Sequence, residues 1–232
     1  MSKLVWDATG ERTFETGVSN GVLYVMNGTT YGQGVAWNGL TGITESPSGA
    51  ENTPLYADNI KYLNLQSAEE FGATIEAYTY PDEFGECDGS ATLTPGMKVG
   101  QQKRKVFGLV YKTILGNDTE GSNHGYRIHI LYGLQASPSE KAYTTVNDSP
   151  EAITFSWECT STPVNVGTIN GIEYKPTSII TIDSTEFDSA NAANLAALED
   201  TLFGGVDKEP TLPTPAQVYN LVAGGAAAAM LD

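Results

Sequence analysis

Four acids in one short stretch, Asp82, Glu83, Glu86 and Asp88, are the first residues whose type and spacing could do chemistry. Paired carboxylates cleave glycosidic bonds when one is held protonated and the other ionised. Nothing near this group separates the two roles, and clustered acids in a turn read as a solvated face. Asp118, Glu120 and Ser122, in GNDTEGSNHG, alternate like calcium ligands, but the second acidic position and the distal bidentate Glu of an EF-hand loop are missing. His124 and His129 are the only histidines, too few for a zinc site. His129 shares one side of a strand with Arg127 and Leu131 and reads as a structural or surface residue. Cys87 and Cys159 are too few for a disulfide framework and read as free thiols of a reducing cytoplasm. There is no GxSxG elbow, no Gly-rich phosphate loop before a helix and no Cys/His cluster. The sequence therefore predicts no enzyme, no metal and no cofactor.

Charge carries more information than any motif. The chain has 232 residues and a formal net charge of -16, which disfavours binding to nucleic acid through its phosphates, since that needs Lys and Arg to displace counterions. A passive contact that repels nucleic acid is still compatible. Seven acids, Glu69, Glu70, Glu76, Asp82, Glu83, Glu86 and Asp88, lie between Lys61 and Lys98 with no basic residue among them. A single sign kept along such a stretch holds a field. Five of the twelve basic residues, Lys98, Lys103, Arg104, Lys105 and Lys112, follow closely. They read as an edge strand guarded by charge, or as a basic surface paired with the acidic one on a neighbouring copy, ahead of a nucleic-acid patch.

The elements that must hold these groups are mostly strands. Twenty-five glycines and eleven prolines point to many turns. In the stretch Gly72–Tyr80, Ala73, Ile75, Ala77 and Thr79 form a core row, and Thr74, Glu76, Tyr78 and Tyr80 form an exposed one, with Pro81 ending the strand. Ala152–Thr160 alternates likewise, with Ile153, Phe155, Trp157 and Cys159 against Thr154, Ser156 and Glu158. Residues 1–20 read as an arm anchored by Trp6 and Phe14. Asn20-Gly21 reads as a turn into the strand GVLYVM, and Asn27-Gly28 as a hairpin turn with Tyr31–Trp37 as partner. Residues 38–70 show no convincing strand yet hold scattered apolar groups, which predicts an ordered long loop covered by another chain. Its contact residues are Trp37, Leu40, Ile43, Leu55, Tyr56, Ile60 and Tyr62. Asn170-Gly171 marks another hairpin, and Thr177–Asp183 a further strand. One helix is expected over 188–204, capped by Asp188 or Ser189, with Leu195, Leu198, Leu202 and Phe203 on one face and Gly204-Gly205 as its stop. Residues 206–232 read as a Pro-rich linker and C-terminal extension, in which Thr214-Pro215 starts a second helix; this tail either docks on a partner or stays flexible. No stretch reaches the roughly 18–20 apolar residues of a membrane helix, and MSKLVWDATG has no signal-peptide pattern.

Two long segments, GVAWNGLTGITESPSGAENTPLYADNIKYLNLQSAEEFGATIEAYTYPDEFGECDG and NDSPEAITFSWECTSTPVNVGTINGIEYKPTSIITIDST, resemble the major tail proteins, or tail tube proteins, of long-tailed non-contractile bacteriophages. The resemblance covers about Leu4 to Gly204 and leaves the tail after Glu209 outside it. It implies a mainly β fold, a β-sandwich that forms a barrel with its neighbours, over residues 21–205. One packed helix, a long inter-subunit loop and a C-terminal extension complete it. It further implies hexameric rings stacked into a tube with an acidic lumen, through which the DNA genome passes and which the tape measure protein fills beforehand. Tail-tip and tail-terminator proteins would be the other partners, and the virion the destination after assembly in the host cytoplasm. Glu76 and Glu158 are assigned to the lumen, or to the outer surface if the sheet assignment is reversed. The alternative is a stand-alone β-sandwich binding module of carbohydrate-binding or adhesin type, with a glycosidase-like enzyme behind it.

Overall fold

The structure, a computed structural model, describes residues 3–146, 148 and 151–224. β1 (Thr13–Asn27) is long, and β2 (Thr30–Tyr31) and β3 (Val35–Trp37) both fold back onto it. A ribbon follows: β4 (Leu40–Glu45), β5 (Ser48–Gly49) and β6 (Asn52–Ala57) run out, and β7 (Ile60–Gln66), β8 (Glu69–Glu70) and β9 (Gly72–Ala77) return. A 3-10 turn at Asp82–Glu86 precedes the small hairpin of β10 (Ala91–Thr94) and β11 (Met97–Val99). β12 (Phe107–Asn117) and β13 (Gly121–Ala136) form a long antiparallel pair. β14 (Phe155–Ser161), the hairpin of β15 (Gly167–Ile169) and β16 (Ile172–Tyr174), β17 (Ile179–Asp183), and the helices α1 (Ala192–Phe203) and α2 (Pro215–Val222) complete the order.

The main sheet runs β2-β1-β12-β13-β14-β9-β4, with β17 beside the middle of β13 and β3 beside β1. Only Asn38 and Gly39 separate β3 from β4. Since β3 pairs with β1 and β4 pairs with β9, the sheet curls round and closes on itself at one end. At the other end β4 and the Thr13–Asn20 half of β1 have no ladder between them, so a mouth stays open. Gly133 makes the change of partner along β13 possible. Its φ is 62°, and a Cβ there would sit 2.1 Å from the Thr162 carbonyl oxygen. Past it, β13 leaves β17 and pairs with β14.

Two cores share the central strands. Leu23, Phe107, Leu109, Tyr111, Leu131 and Leu134 point into the barrel and meet Ile75, Trp157 and Trp37. Their neighbours Val22, Tyr24, Val110, Ile128, Ile130 and Tyr132 point outward, where Leu195, Leu198 and Leu202 of α1, with Leu212 and Val218, cover them. Each such leucine, removed from water, contributes about 1.5–3 kcal/mol. Burial on both faces is why VLYV, FGLVY and IHILY read as continuous apolar runs and not as alternation. Lys112 ties the outer layer down: its ammonium pairs with Glu199 and lies 4.2 Å from the Tyr126 ring centroid and 4.7 Å from that of Phe203.

Several expectations change here. Residues 13–20 are not arm but the first half of β1, because the ladder to β12 continues through them. Asn20-Gly21 is not a turn ahead of the strand: Asn20, at φ 53°, sits at a register shift inside β1. β12 lies between β1 and β13, so its basic flank guards no edge. Residues 38–70 are a β-ribbon, not a loop; the signal was hidden by Gly42, Pro47, Gly49 and Pro54. The Asn27-Gly28 and Asn170-Gly171 hairpins form as read. α1 starts after Asp188, whose carboxylate accepts from the Ala190 N–H in a preceding turn and so caps no helix. Gly204, at φ 86°, stops α1 as expected. The linker after it is bound to its own chain. Gly34 N–H donates to the Pro210 carbonyl at 2.9 Å, Thr211 N–H to that of Thr201 at 2.8 Å, and Tyr132 hydroxyl to that of Pro213 at 2.9 Å. α2 opens with a Thr214/Gln217 capping box and Pro215 in its first turn. The end of the tail, 225–232, lies outside the described residues.

Cys87 and Cys159 are both buried in the barrel core, and burial pushes each thiol up to about 12. Since the thiolate is the reactive species, native protein at pH 8 should leave both unmodified by iodoacetamide, with full modification in guanidinium. Mass spectrometry reads the difference, and alkylation of either thiol at the unfolded rate would contradict their placement.

Candidate functional site

The three strands opposite the helices make the first surface of interest. β4, β9 and β14 pair in register, Gly42 and Ser156 flanking Glu76, and Thr44 and Glu158 flanking Thr74. Ala73, Ile75, Ala77, Trp157 and Cys159 point into the barrel. Glu76 and Glu158 are exposed on the other side, among Thr74, Ser156 and Thr44. The strand period of two delivers this separation of apolar and acidic rows. Among the described residues the outer edge of β4 has no strand partner, and over Phe155–Trp157 neither does the edge of β14 away from β9, since β13 pairs only with Cys159–Ser161. The surface is thus a polar face between two open edges.

The core row stops sooner than the alternation implied. β9 ends at Ala77, Tyr78 stays exposed, and Tyr80 turns inward. Its ring lies edge-on to Phe155 at 5.4 Å and to Trp157 at 5.3 Å. The 3-10 turn then drops Phe84 and Cys87 into the barrel, Phe84 sitting 4.5 Å from the Trp37 ring and 4.9 Å from that of Trp157. The acidic turn is therefore the rim of an aromatic plug. Three of its four charges are matched within the chain: Lys98 to Asp82 at 2.7 Å, Lys105 to Glu86 at 2.6 Å, and Lys141 to Asp88 at 2.5 Å, with Arg104 at 3.8 Å from Asp88. Lys98, Arg104 and Lys105 of the basic run thus face acids of their own chain. Among the described residues Glu69, Glu70, Glu76 and Glu83 have no ion-pair partner, so the field that survives lies on the ribbon and the polar sheet.

The ribbon divides the set of contact residues. Trp37 is buried with its indole N–H donating to the Thr79 carbonyl at 2.9 Å, and Leu40 and Ile43 pack on the same core. Those three are used inside the chain and leave the set. Leu55, Tyr56, Ile60 and Tyr62, joined by Leu63 and Leu65, are exposed on β6 and β7. Leu55 and Leu63 are cross-strand partners, and a two-stranded hairpin with so much apolar surface gains little stability from itself.

The second site is the mouth, a cleft of about 620 Å³ between β1 and β4. The sequence hid it, because its residues come from five strands. His129 on β13 has both ring nitrogens against carboxylates: Nδ1 is 3.2 Å from Glu45 Oε1 of β4, and Nε2 is 3.3 Å from Glu15 Oε1 of β1. Its ring stacks on Tyr111 with centroids 4.6 Å apart. The Tyr111 hydroxyl donates to Glu45 at 2.7 Å and that of Thr113 to Glu15 at 2.5 Å. Arg127 joins Glu15 to Asp183 of β17, the latter at 2.9 Å. The His129 hydrogen bond holds the Glu45 carboxyl below its usual range against the opposing effect of burial. Burial and the Glu45 contact raise the Tyr111 hydroxyl. His124 is apart from this group, 3.0 Å from Glu120 at the tip of the β12–β13 hairpin. Asp118 accepts from the Gly10 N–H at 2.9 Å, so two of the calcium-like positions serve the chain's own contacts. Among the described residues no three His, Cys, Asp or Glu side chains converge as metal ligands.

No protein-family model matches the chain, and no curated protein does. Among solved structures, the chain is similar to one from the anti-feeding prophage baseplate, 10% identical with a TM-score of 0.37, over 81% of this chain and 100% of that one. A second similarity is to the sheath-tube complex of the PVC extracellular contractile injection system in its extended state, 10% identical with a TM-score of 0.31, over 71% of this chain and 88% of that one. At such scores the overlap is partial, and those names describe those assemblies.

Proposed function

We propose that this chain is a structural subunit that polymerises, through stacked hexameric rings, into the tail tube of a long-tailed bacteriophage. The observation that carries the proposal is the polar face of β4, β9 and β14 between two open strand edges. Pairing the edge of β4 on one copy with that of β14 on the next would remove both open edges and put Glu76 and Glu158 on a continuous wall. The helices, on the opposite side, would face outward. An acidic wall repels phosphate, so DNA slides along it without sticking. The exposed apolar hairpin of β6 and β7 suits contact between successive rings, and such a head-to-tail contact is open-ended, which makes a filament. Tape measure, tail-tip and tail-terminator proteins are the further partners this reading requires. It requires no catalysis and no cofactor.

Concentrated purified protein, examined by negative-stain electron microscopy, should give rings or tubes with a central hole, alone or on addition of the tail-tip complex. Monomers in both conditions would reject the reading and favour the stand-alone binding module.

A further inference from the structure

We propose that the seam between neighbouring copies is a parallel ladder, β4 of one copy on β14 of the next, whereas every ladder among the described residues is antiparallel. The existence of the seam rests on the ring reading above; its direction follows from the strand count. β9 runs antiparallel to both β4 and β14, so those two point the same way. Rotation about a ring axis keeps the sense of a strand along that axis. The β14 that a ring brings to β4 therefore runs with it, whatever the number of copies.

A fourth wall strand would reverse this result, and in the sheet only β13 lies beyond β14. Its outer side is closed. The Ser137 N–H donates to the Glu158 carbonyl at 2.7 Å, so by the alternation of a strand Leu134, Ala136 and Pro138 turn their backbone groups away from β14. Leu134 there meets Phe107 of β12, the Ala136 carbonyl accepts from Arg104 Nη1 at 3.0 Å, and Pro138 has no N–H. Three wall strands per copy remain.

The outward groups also fix a register. Ser46 exchanges both its backbone bonds with Gly72, so Thr44 faces β9 as well, and Ile43 and Glu45 turn their N–H and C=O groups outward. They line the cleft of the mouth, which leaves space beside them. On β14 the Glu158 carbonyl faces β13, so Ser156 and Thr154 face the same way, past the end of β13. In a parallel ladder one residue bonds two residues that flank its opposite number. The Ile43 N–H would donate to the Thr154 carbonyl of the next copy, and the Ile43 carbonyl would accept from that copy's Ser156 N–H. Thr44 then lies opposite Ser156, with Ile43 opposite Phe155. Side chains agree with this: Thr44 and Ser156 belong to the polar face, and Ile43 and Phe155 pack on the core. A slip of one residue would turn an apolar side chain onto the polar face.

The test introduces pairs of cysteines into full-length protein, assembles it alone or with the tail-tip complex, and oxidises it with copper phenanthroline. A parallel seam brings Ser46 beside Glu158 of the next copy, and an antiparallel one would bring Ser46 beside Thr154. Within one copy either pair is two strands apart, about 9.5 Å or more and beyond disulfide reach, so any bond joins two copies. Cys87 and Cys159 are buried and stay out of the reaction. Ser46→Cys with Glu158→Cys should give covalent dimers and higher oligomers on a non-reducing gel, and Ser46→Cys with Thr154→Cys should give none. Cross-linking in the Thr154 pair alone would overturn the parallel seam and leave the tube reading standing. Rings with neither cross-link would overturn the β4–β14 seam itself. No rings from the unmutated protein under either condition would reject the tube reading and the seam with it. Should a cysteine variant fail to assemble, cryo-electron microscopy of unmutated tubes reads the strand direction directly, and an antiparallel pair at the seam is the overturning result.

Discussion

Truncating Trp157 to Ala should destabilise the chain by about 3–5 kcal/mol, the range found when a large aromatic side chain is removed from a packed core. Trp157 is fully buried on β14, and four aromatic rings lie around it: Phe84 at 4.9 Å, Tyr80 at 5.3 Å, Trp37 at 5.7 Å and Phe155 at 5.8 Å. It therefore holds the 3-10 plug, β3 and β14 at once. Set against a total stability of about 5–15 kcal/mol for an ordinary domain, the loss is a large fraction. A control follows from one atom. The indole Nε1 of Trp157 is buried with no hydrogen-bond partner among the described residues, and an unpaired buried donor costs about 1–3 kcal/mol. Trp157→Phe removes that donor together with some packing, so it should cost far less than Trp157→Ala. Chemical denaturation followed by the remaining tryptophans measures both, and equal losses in the two variants would show that ring packing is not what Trp157 supplies.

On the proposed tail tube reading, exchanging Glu76 and Glu158 for Lys together should leave assembly intact and slow DNA ejection from the virion. Both side chains are exposed, so folding stability should move by no more than about 0.5 kcal/mol each. The formal charge rises from -16 to -12, two units per substitution, and all of that change falls on the polar face of β9 and β14. If that face lines a channel, phosphate meets ammonium groups where it met carboxylates, and the drag should weaken steeply as salt is added. Single-virion ejection assays at low and high ionic strength read both effects. Ejection at the normal rate from such virions would place Glu76 and Glu158 outside the lumen.

What was legible in the sequence follows from how many faces of each element are buried. β9 and β14 carry one core row each, so Ala73, Ile75, Ala77, Trp157 and Cys159 were readable from period-two alternation. The Asn170-Gly171 hairpin was readable because both residues of its two-residue turn sit at positive φ, and the hairpin after Asn27 because Gly28 takes the positive φ of its turn. β12 was misplaced at an edge because VFGLVY, buried on both faces, has no alternation, and the lysines before it drew the eye to the surface. The hairpin of β6 and β7 was missed because a protruding two-stranded arm has no buried row at all. The mouth was not legible. Glu15, Glu45, Tyr111, Thr113, Arg127 and His129 are scattered along the chain, and only the curl of the sheet brings them together. His129 itself lies between Ile128 and Ile130, where it reads as a gap in an apolar run.

The sharing of β1, β12 and β13 between two cores has a consequence for how the chain comes apart. In β1, Leu23 belongs to the barrel and its neighbours Val22 and Tyr24 to the helix layer; in β12, Leu109 and Val110 divide in the same way. Stripping off the helices would expose one whole face of the three strands that wall the barrel, and melting the barrel would take away the floor on which the helices lie. The helix layer has no strands of its own on which to survive, and the barrel without the shared strands keeps only one side of its core, that of β4, β9 and β14. The helix layer and the barrel therefore form one cooperative unit, and the linker of Pro210 to Pro213, strapped across that shared sheet, unfolds with them and not before.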